Sequence, residues 1–147
     1  METDKTDIEI LRVLEKNSRL SLRKIAKKVG VSVATVMHRL NRLEKESVIR
    51  GYTALLDYDK LGFELQAIIS VDVSKGKLFE VEKKIATDPS VHAVYDITGH
   101  FDVIVIARFK TRKSLDNFIK KIQTYDFVEK TETAIVLNTI KEEPMGI

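Results

Sequence analysis

The stretch GVSVATVMHRLNRLEKESVI, residues 30–49, sets a serine two places after a glycine and then mixes apolar and basic side chains at helical spacing. At 100° per residue, Val36, Leu40 and Leu43 share one face with Val33 and must pack on something. The opposite face carries Ala34, Thr35, His38, Asn41, Arg42 and Lys45, with no acid before Glu44. A helix that enters a DNA groove needs that order. Small residues let its first turn approach base edges, and Asn, His and Arg then offer hydrogen-bonding groups. A third helix of a small bundle with an ordinary solvated face is the alternative that this pattern leaves open.

The residues upstream supply the rest of a helix-turn-helix. Ser21 can cap LRKIAKKV, whose Leu22, Ile25, Ala26 and Val29 face inward and whose Arg23, Lys24, Lys27 and Lys28 face out. Gly30 is the expected left-handed terminus of that helix, and Ser32 can cap the next one after a short turn. Before them, Ile8, Leu11 and Leu14, with Ile10 alongside, predict a first helix from about Asp4 to Glu15, with acids in its first turn where the dipole favours them.

Charge separates the two halves of the chain. Residues 1–51 hold twelve Lys/Arg against seven Asp/Glu, while residues 52–147 hold thirteen against fifteen. Residues 16–43 contain eight basic residues and no acidic one. A solvated face normally mixes both signs, so a single-sign window points to a polyanion such as double-stranded DNA. Ala34, Thr35, His38, Asn41 and Arg42 are the expected base contacts. Arg23, Lys24, Lys27, Lys28 and Arg39 are the expected phosphate contacts.

The second half repeats itself. KLFEVEKKIATDPSV from Lys77 matches SLDNFIKKIQTYDFV from Ser114, pairing Leu78 with Leu115, Ile85 with Ile122, Thr87 with Thr124 and Val91 with Val128. Each copy is an amphipathic helix between β-rich runs, which predicts a βαββαβ, ferredoxin-like arrangement with Gly99 and His100 as the tight link. Both helices then cover one face of the sheet. Val103 to Ile106 is nevertheless apolar at every position, as in a sheet buried on both faces. A second copy of the same sheet is the simplest cover, so a homodimer is expected.

Taken together, SLRKIAKKVGVSVATVMHRLNRLEKESVIRGYTALLD resembles the DNA-binding half of the feast/famine regulators, the leucine-responsive (Lrp/AsnC) family. The resemblance is carried by Ile25 and Ala26, Gly30 to Ser32, Arg42 to Glu44, and Val48, Ile49, Gly51 and Tyr52. A ferredoxin-like domain behind a helix-turn-helix fits the same family. The resemblance implies an α+β chain: a winged-helix-like domain at 1–50, a linker strand at 51–62, and an effector-binding and oligomerisation domain at 63–147. It also implies assembly of dimers into rings such as octamers, and an amino-acid effector held near a G-x-x-D loop joining the two central strands. Here that loop is Gly99, His100, Phe101 and Asp102, with Thr98 and Thr133 as added hydroxyls. Glycine lets a ligand approach the backbone, and a carboxylate can pair an α-amino group; a plain hairpin turn uses glycine equally well.

Enzyme chemistry finds no foothold. There is no P-loop, GxSxG or GxGxxG pattern, and His38, His92 and His100 lack metal-ligand spacing, so no cofactor and no metal are expected. The absence of cysteine fits a reducing cytoplasm, and the longest aliphatic run, Val103 to Ala107, is far short of a membrane span. The expected function is a dimeric, sequence-specific DNA-binding transcriptional regulator. The rival is an amino-acid-sensing module acting on a protein partner with only non-specific DNA binding.

Overall fold

The computed structural model describes residues 3–147, which divide into two compact units, one of residues 3–55 with 142–147 and one of residues 56–141.

The first unit contains three helices, α1 (Lys5–Lys16), α2 (Leu22–Val29) and α3 (Val33–Lys45). Each begins where a side chain accepts a free backbone N–H: Asp4 for Asp7, Ser21 for Lys24 and Ser32 for Thr35. Helix α2 ends at Gly30 with φ 78°, a conformation that costs glycine nothing. Ile10, Leu14, Ile25, Ala26, Val36 and Leu40 form the core. The face of α1 differs from the expected stripe. Ile8 and Leu11 are only half-buried, and the row that faces inward is Asp7, Ile10 and Leu14. A carboxylate can occupy that row because two arginines reach it. Val33, expected inward, is 42% exposed. Residues 51–57, expected as a linker strand, carry no strand pairing, and residues 58–62 are turns.

The second unit is the expected βαββαβ: β1 (Leu65–Val73), α4 (Leu78–Ala86), β2 (Val91–Asp96), β3 (Val103–Phe109), α5 (Arg112–Gln123) and β4 (Val128–Ile135). All pairings are antiparallel, in the order β2-β3-β1-β4. Ala67, Ile69, Val71 and Val73 of β1 join Val103, Val105, Ala107 and Phe109 of β3 under Val81, Ile85, Leu115, Phe118 and Ile122 of the helices. The repeat holds at the atomic level. Thr87 and Thr124 each end a helix by donating a hydroxyl to the carbonyl three residues back, at 2.8 and 2.7 Å.

Both helices of this unit pack on one face of the sheet, and among the described residues of the unit no helix covers the other. Ile68 pairs with Ile106 and Ala134, and Ile104 pairs with Ser70 and Tyr95, so this face is largely apolar; Ile68 is 38% exposed and Tyr95 54%.

Candidate nucleic-acid interface and ligand loop

Helix α3 divides its side chains as its periodicity requires. Val36, Leu40 and Leu43 are buried, and Ala34, His38 and Asn41 are exposed on the far side. Thr35 is half-buried, and its hydroxyl lies 2.8 Å from Ser32 Oγ within the helix cap. Met37 is exposed by 50% and belongs to this surface. Sequence reading placed it on neither face, although its spacing of three from Ala34 and four from Asn41 puts it beside both.

Arg39 and Arg42 part company with the other cations. Both turn toward the N-terminus of α1. Arg39 Nη1 bonds Asp4 and lies 3.2 and 3.4 Å from the two carboxylate oxygens of Asp7, while Arg42 Nη2 bonds Asp7 Oδ2. Asp7 is fully buried. Asp4 and Asp7 also cap each other's backbone, each accepting the other's N–H at 3.0 Å. The Asp7 N–H and then the Arg39 guanidinium hold the Asp4 carboxyl below its usual range, and Asp4 in turn raises Arg39. The expected roles of Arg42 at bases and Arg39 at phosphates thus meet a competing, intradomain engagement. It went unread because Asp4 and Asp7 lie more than thirty residues away in sequence.

The cations of α2 are differently placed. Arg23, Lys24, Lys27 and Lys28 are all exposed, and no ion pair engages them among the described residues. With the exposed face of α3, they leave a surface whose positive charge is uncompensated within the unit.

In the second unit, Ile97 to Asp102 close the β2–β3 hairpin, with Ile97 N–H on Asp102 O at 2.9 Å. The sheet order puts β2 at an edge, so this loop joins an edge strand to a central one rather than two central strands. Thr98, Gly99 and His100 are exposed, and Gly99 has φ 131° with open space around it. Phe101 packs edge-on against His100 at 5.0 Å and lies under the Lys130 ammonium at 5.3 Å. Asp102 has a structural duty, because its Oδ2 accepts the Val73 N–H at 2.9 Å where the β1–β4 register shifts. Thr133 sits further along the sheet, in register with Ile69 and Val105 on the helix-covered face, and a single chain does not gather it into the loop. His92 lies near the opposite end of β2 from His100. Among the described residues, no three His, Asp or Glu side chains converge as a metal ion would require, and no helix is long and apolar enough to cross a membrane.

Comparison with known proteins falls on the same two units. Residues 3–50 match the family model for a winged helix-turn-helix DNA-binding domain, and residues 66–145 match that of the Lrp/AsnC ligand binding domain. The chain belongs to the Lrp/AsnC family of DNA-binding transcriptional regulators. It is 46% identical over 143 residues to an HTH-type transcriptional regulator of Pyrococcus furiosus, covering 97% of each chain. It is 37% identical to the HTH-type transcriptional regulator FL11 of Pyrococcus horikoshii, covering 95% of this chain and 92% of that one. Among solved structures, Escherichia coli AsnC superposes with a TM-score of 0.93 at 26% identity over the whole of both chains. The Neisseria meningitidis transcriptional regulator NMB0573, in complex with L-Met, gives 0.88 at 30% identity over 97% of this chain and 94% of that one.

Proposed function

We propose that the chain acts as a homodimer that reads pseudo-palindromic DNA and that an amino acid modulates it. The observation that carries the DNA reading is the contrast between the two sets of cations. Arg23, Lys24, Lys27 and Lys28 are exposed without an acid to pair with, beside an α3 face of Ala34, Met37, His38 and Asn41. In this reading the α2 cations hold phosphates, Asn41 and His38 bond base edges, and Met37 and Ala34 lie against thymine methyl groups. Thr35 contributes its methyl at the rim of the same contact.

The open apolar face of the sheet supports a second copy. That face presents Ile68, Ile104, Ile106 and Ala134, and a second sheet is the self-complementary cover, with roughly the 2,000 Å² or more of an obligate interface. The twofold axis would set two α3 helices one helical turn apart on the duplex. Rings of dimers, such as octamers, are a further step that the same family suggests.

For the ligand, the reading rests on the match to a ligand binding domain and on the L-Met bound to the Neisseria relative. Thr98, Gly99, His100, Phe101 and Asp102 are the proposed contacts, with backbone N–H groups and the aromatic pair available to an amino acid; Thr133 joins only if the partner subunit closes the site.

Selection of bound sequences from a random duplex pool at about 150 mM salt, where non-specific phosphate binding is weakened, tests this. A recovered pseudo-palindrome supports the reading and supplies the duplex on which amino acids are then titrated. No enrichment, with and without an amino-acid mixture, overturns it.

A further inference from the structure

The acid-arginine cluster between α1 and α3 has no part in the DNA contacts described above, yet it joins two carboxylates and two guanidiniums in one bonded group. Asp7 alone accepts from the Asp4 N–H, from Arg39 and from Arg42, and it is fully buried while doing so. The side chains of Arg39 and Arg42 are 24% and 36% exposed. Asp4 closes the group from outside, bonding Arg39 and capping the Asp7 N–H. Two guanidiniums thus meet two carboxylates, and the cluster is neutral. Moving either arginine to a phosphate would strip a buried carboxylate of a partner, which is costly in a way that moving a solvated lysine is not.

We infer that Asp7, assisted by Asp4, is a positioning residue of the DNA-reading helix: it holds Arg39 and Arg42 against α1 and withdraws both cations from the DNA. This inference rests on the proposed DNA reading. Its consequence is for specificity. A free guanidinium at the flank of α3 would bind the phosphates of any duplex and raise non-specific affinity. Held by Asp7, the two arginines fix the rotation and depth of α3 instead, so that discrimination is left to Met37, His38 and Asn41. The sequence window of residues 16–43, without a single acid, therefore overstates the charge that the DNA meets.

The test is the salt dependence of binding by the full chain, followed by fluorescence anisotropy on a random duplex and on the selected one. Arg39→Gln and Arg42→Gln should leave the slope of log affinity against log salt as it is, whereas Lys27→Gln should flatten it by about 0.9 per chain. Asp7→Asn should steepen the slope by up to about 0.9 for each arginine released, tighten binding to random duplex and lower the ratio of specific to random affinity. A merely structural role for Asp7 would weaken both duplexes together and leave the slope alone. Circular dichroism checks folding. If Asp7→Asn does not fold, Asp4→Asn, at the exposed edge of the cluster, should give changes of the same sign on a smaller scale, because Arg39 then keeps only Asp7 as its partner. Flattening by Arg39→Gln and Arg42→Gln equal to that of Lys27→Gln overturns the inference, because the arginines would then already touch phosphate. A chain without any preference for a selected duplex would sink the DNA reading, and the slopes on random duplex would still decide whether the clamp exists.

Discussion

The phenol of Tyr52 donates to Oε1 of Glu44 across 2.8 Å. The bond joins the Gly-Tyr pair after α3 to the last turn of α3, and so ties together two elements of the motif by which the sequence resembles its family. Burial, then the hydrogen bond and charge of Glu44, push the phenol up to about 12. Because the folded value lies above the ordinary 10.0, the stabilisation is complete below pH 10 and is lost as pH rises through about 12. Absorbance titration should show a phenolate step near pH 12 that Tyr52→Phe removes. The same variant should flatten the alkaline fall in stability. A phenolate step that survives Tyr52→Phe unchanged would refute the assignment.

Ser47 stands just after α3 at φ 57°, where a side chain is strained. It closes a Schellman motif, with the Val48 N–H on the Leu43 carbonyl at 2.9 Å and its own N–H on Glu44 at 3.0 Å. Its side chain is exposed, so Ser47→Gly removes the strain and no packing. The variant should gain about 0.5–1 kcal/mol in thermal or denaturant unfolding, the left-handed penalty less the entropy glycine adds to the unfolded chain.

What the sequence disclosed and what it withheld divide along one physical line. Period and capping are local, so Ser21, Gly30 and Ser32 marked the helix boundaries, and Leu78, Ile85, Leu115 and Ile122 marked two equivalent helices that the sheet then buries alike. Thr87 matches Thr124 in the repeat, and both end their helices alike. Partners distant in sequence left no such trace. Asp7 read as a first-turn acid beside a helix dipole, and nothing near it announced Arg39 and Arg42. Met37, apolar yet outward, fell between the two faces that a binary pattern recognises. Asp102 read as a ligand carboxylate, and its bond to the Val73 N–H arises from a register shift that only the paired strands reveal. The linker at 51–57, expected as a strand, carries no strand pairing.

Asp88 and Lys121 occupy the loop after α4 and the body of α5, with Nζ 2.9 Å from Oδ2, and Asp88 also accepts the Ser90 N–H at 3.0 Å. Burial raises the Asp88 carboxyl, but Lys121 and Ser90 outweigh it and the net value is lowered. A depressed folded value means that the contribution is present above the ordinary 3.8 and is lost as pH falls through the lower, folded value. Asp88→Ala should cost about 1–2 kcal/mol at neutral pH through the lost backbone bond. It should also make stability less sensitive to acid. Equal acid sensitivity in chemical denaturation of the two proteins would show that Asp88 is not the titrating group.

Ile104 lies on the open face of the sheet, between Ser70 and Tyr95. Ile104→Arg leaves the helix-covered core untouched, because Val103 and Val105 on either side carry that core. If a second sheet covers this face, light scattering should show the unmodified chain at twice the protomer mass or a multiple of it. The variant should fall to the mass of one chain with its circular dichroism retained. A charge buried at an obligate interface without a partner costs enough to break it. A monomer mass for the unmodified chain at micromolar concentration would remove the homodimer.

Asn41 and Lys27 should fail differently on DNA. Asn41 is exposed on α3, where its amide can bond two atoms of one adenine edge; Lys27 is exposed on α2, where its ammonium can meet any phosphate. Replacing Asn41 with Ala should therefore relax preference at one base position, worth about 1–3 kcal/mol of discrimination, and leave the salt slope as it was. Replacing Lys27 with Ala should weaken selected and random duplexes by the same factor and flatten the slope. Met37→Ala should behave like Asn41→Ala on a smaller scale, with the loss confined to a position where thymine is preferred over cytosine, because only thymine offers a methyl group to the thioether chain. Repeating the selection with each variant reads these outcomes directly. Loss by an equal factor on every duplex for all three would mean that α3 positions the domain without reading sequence.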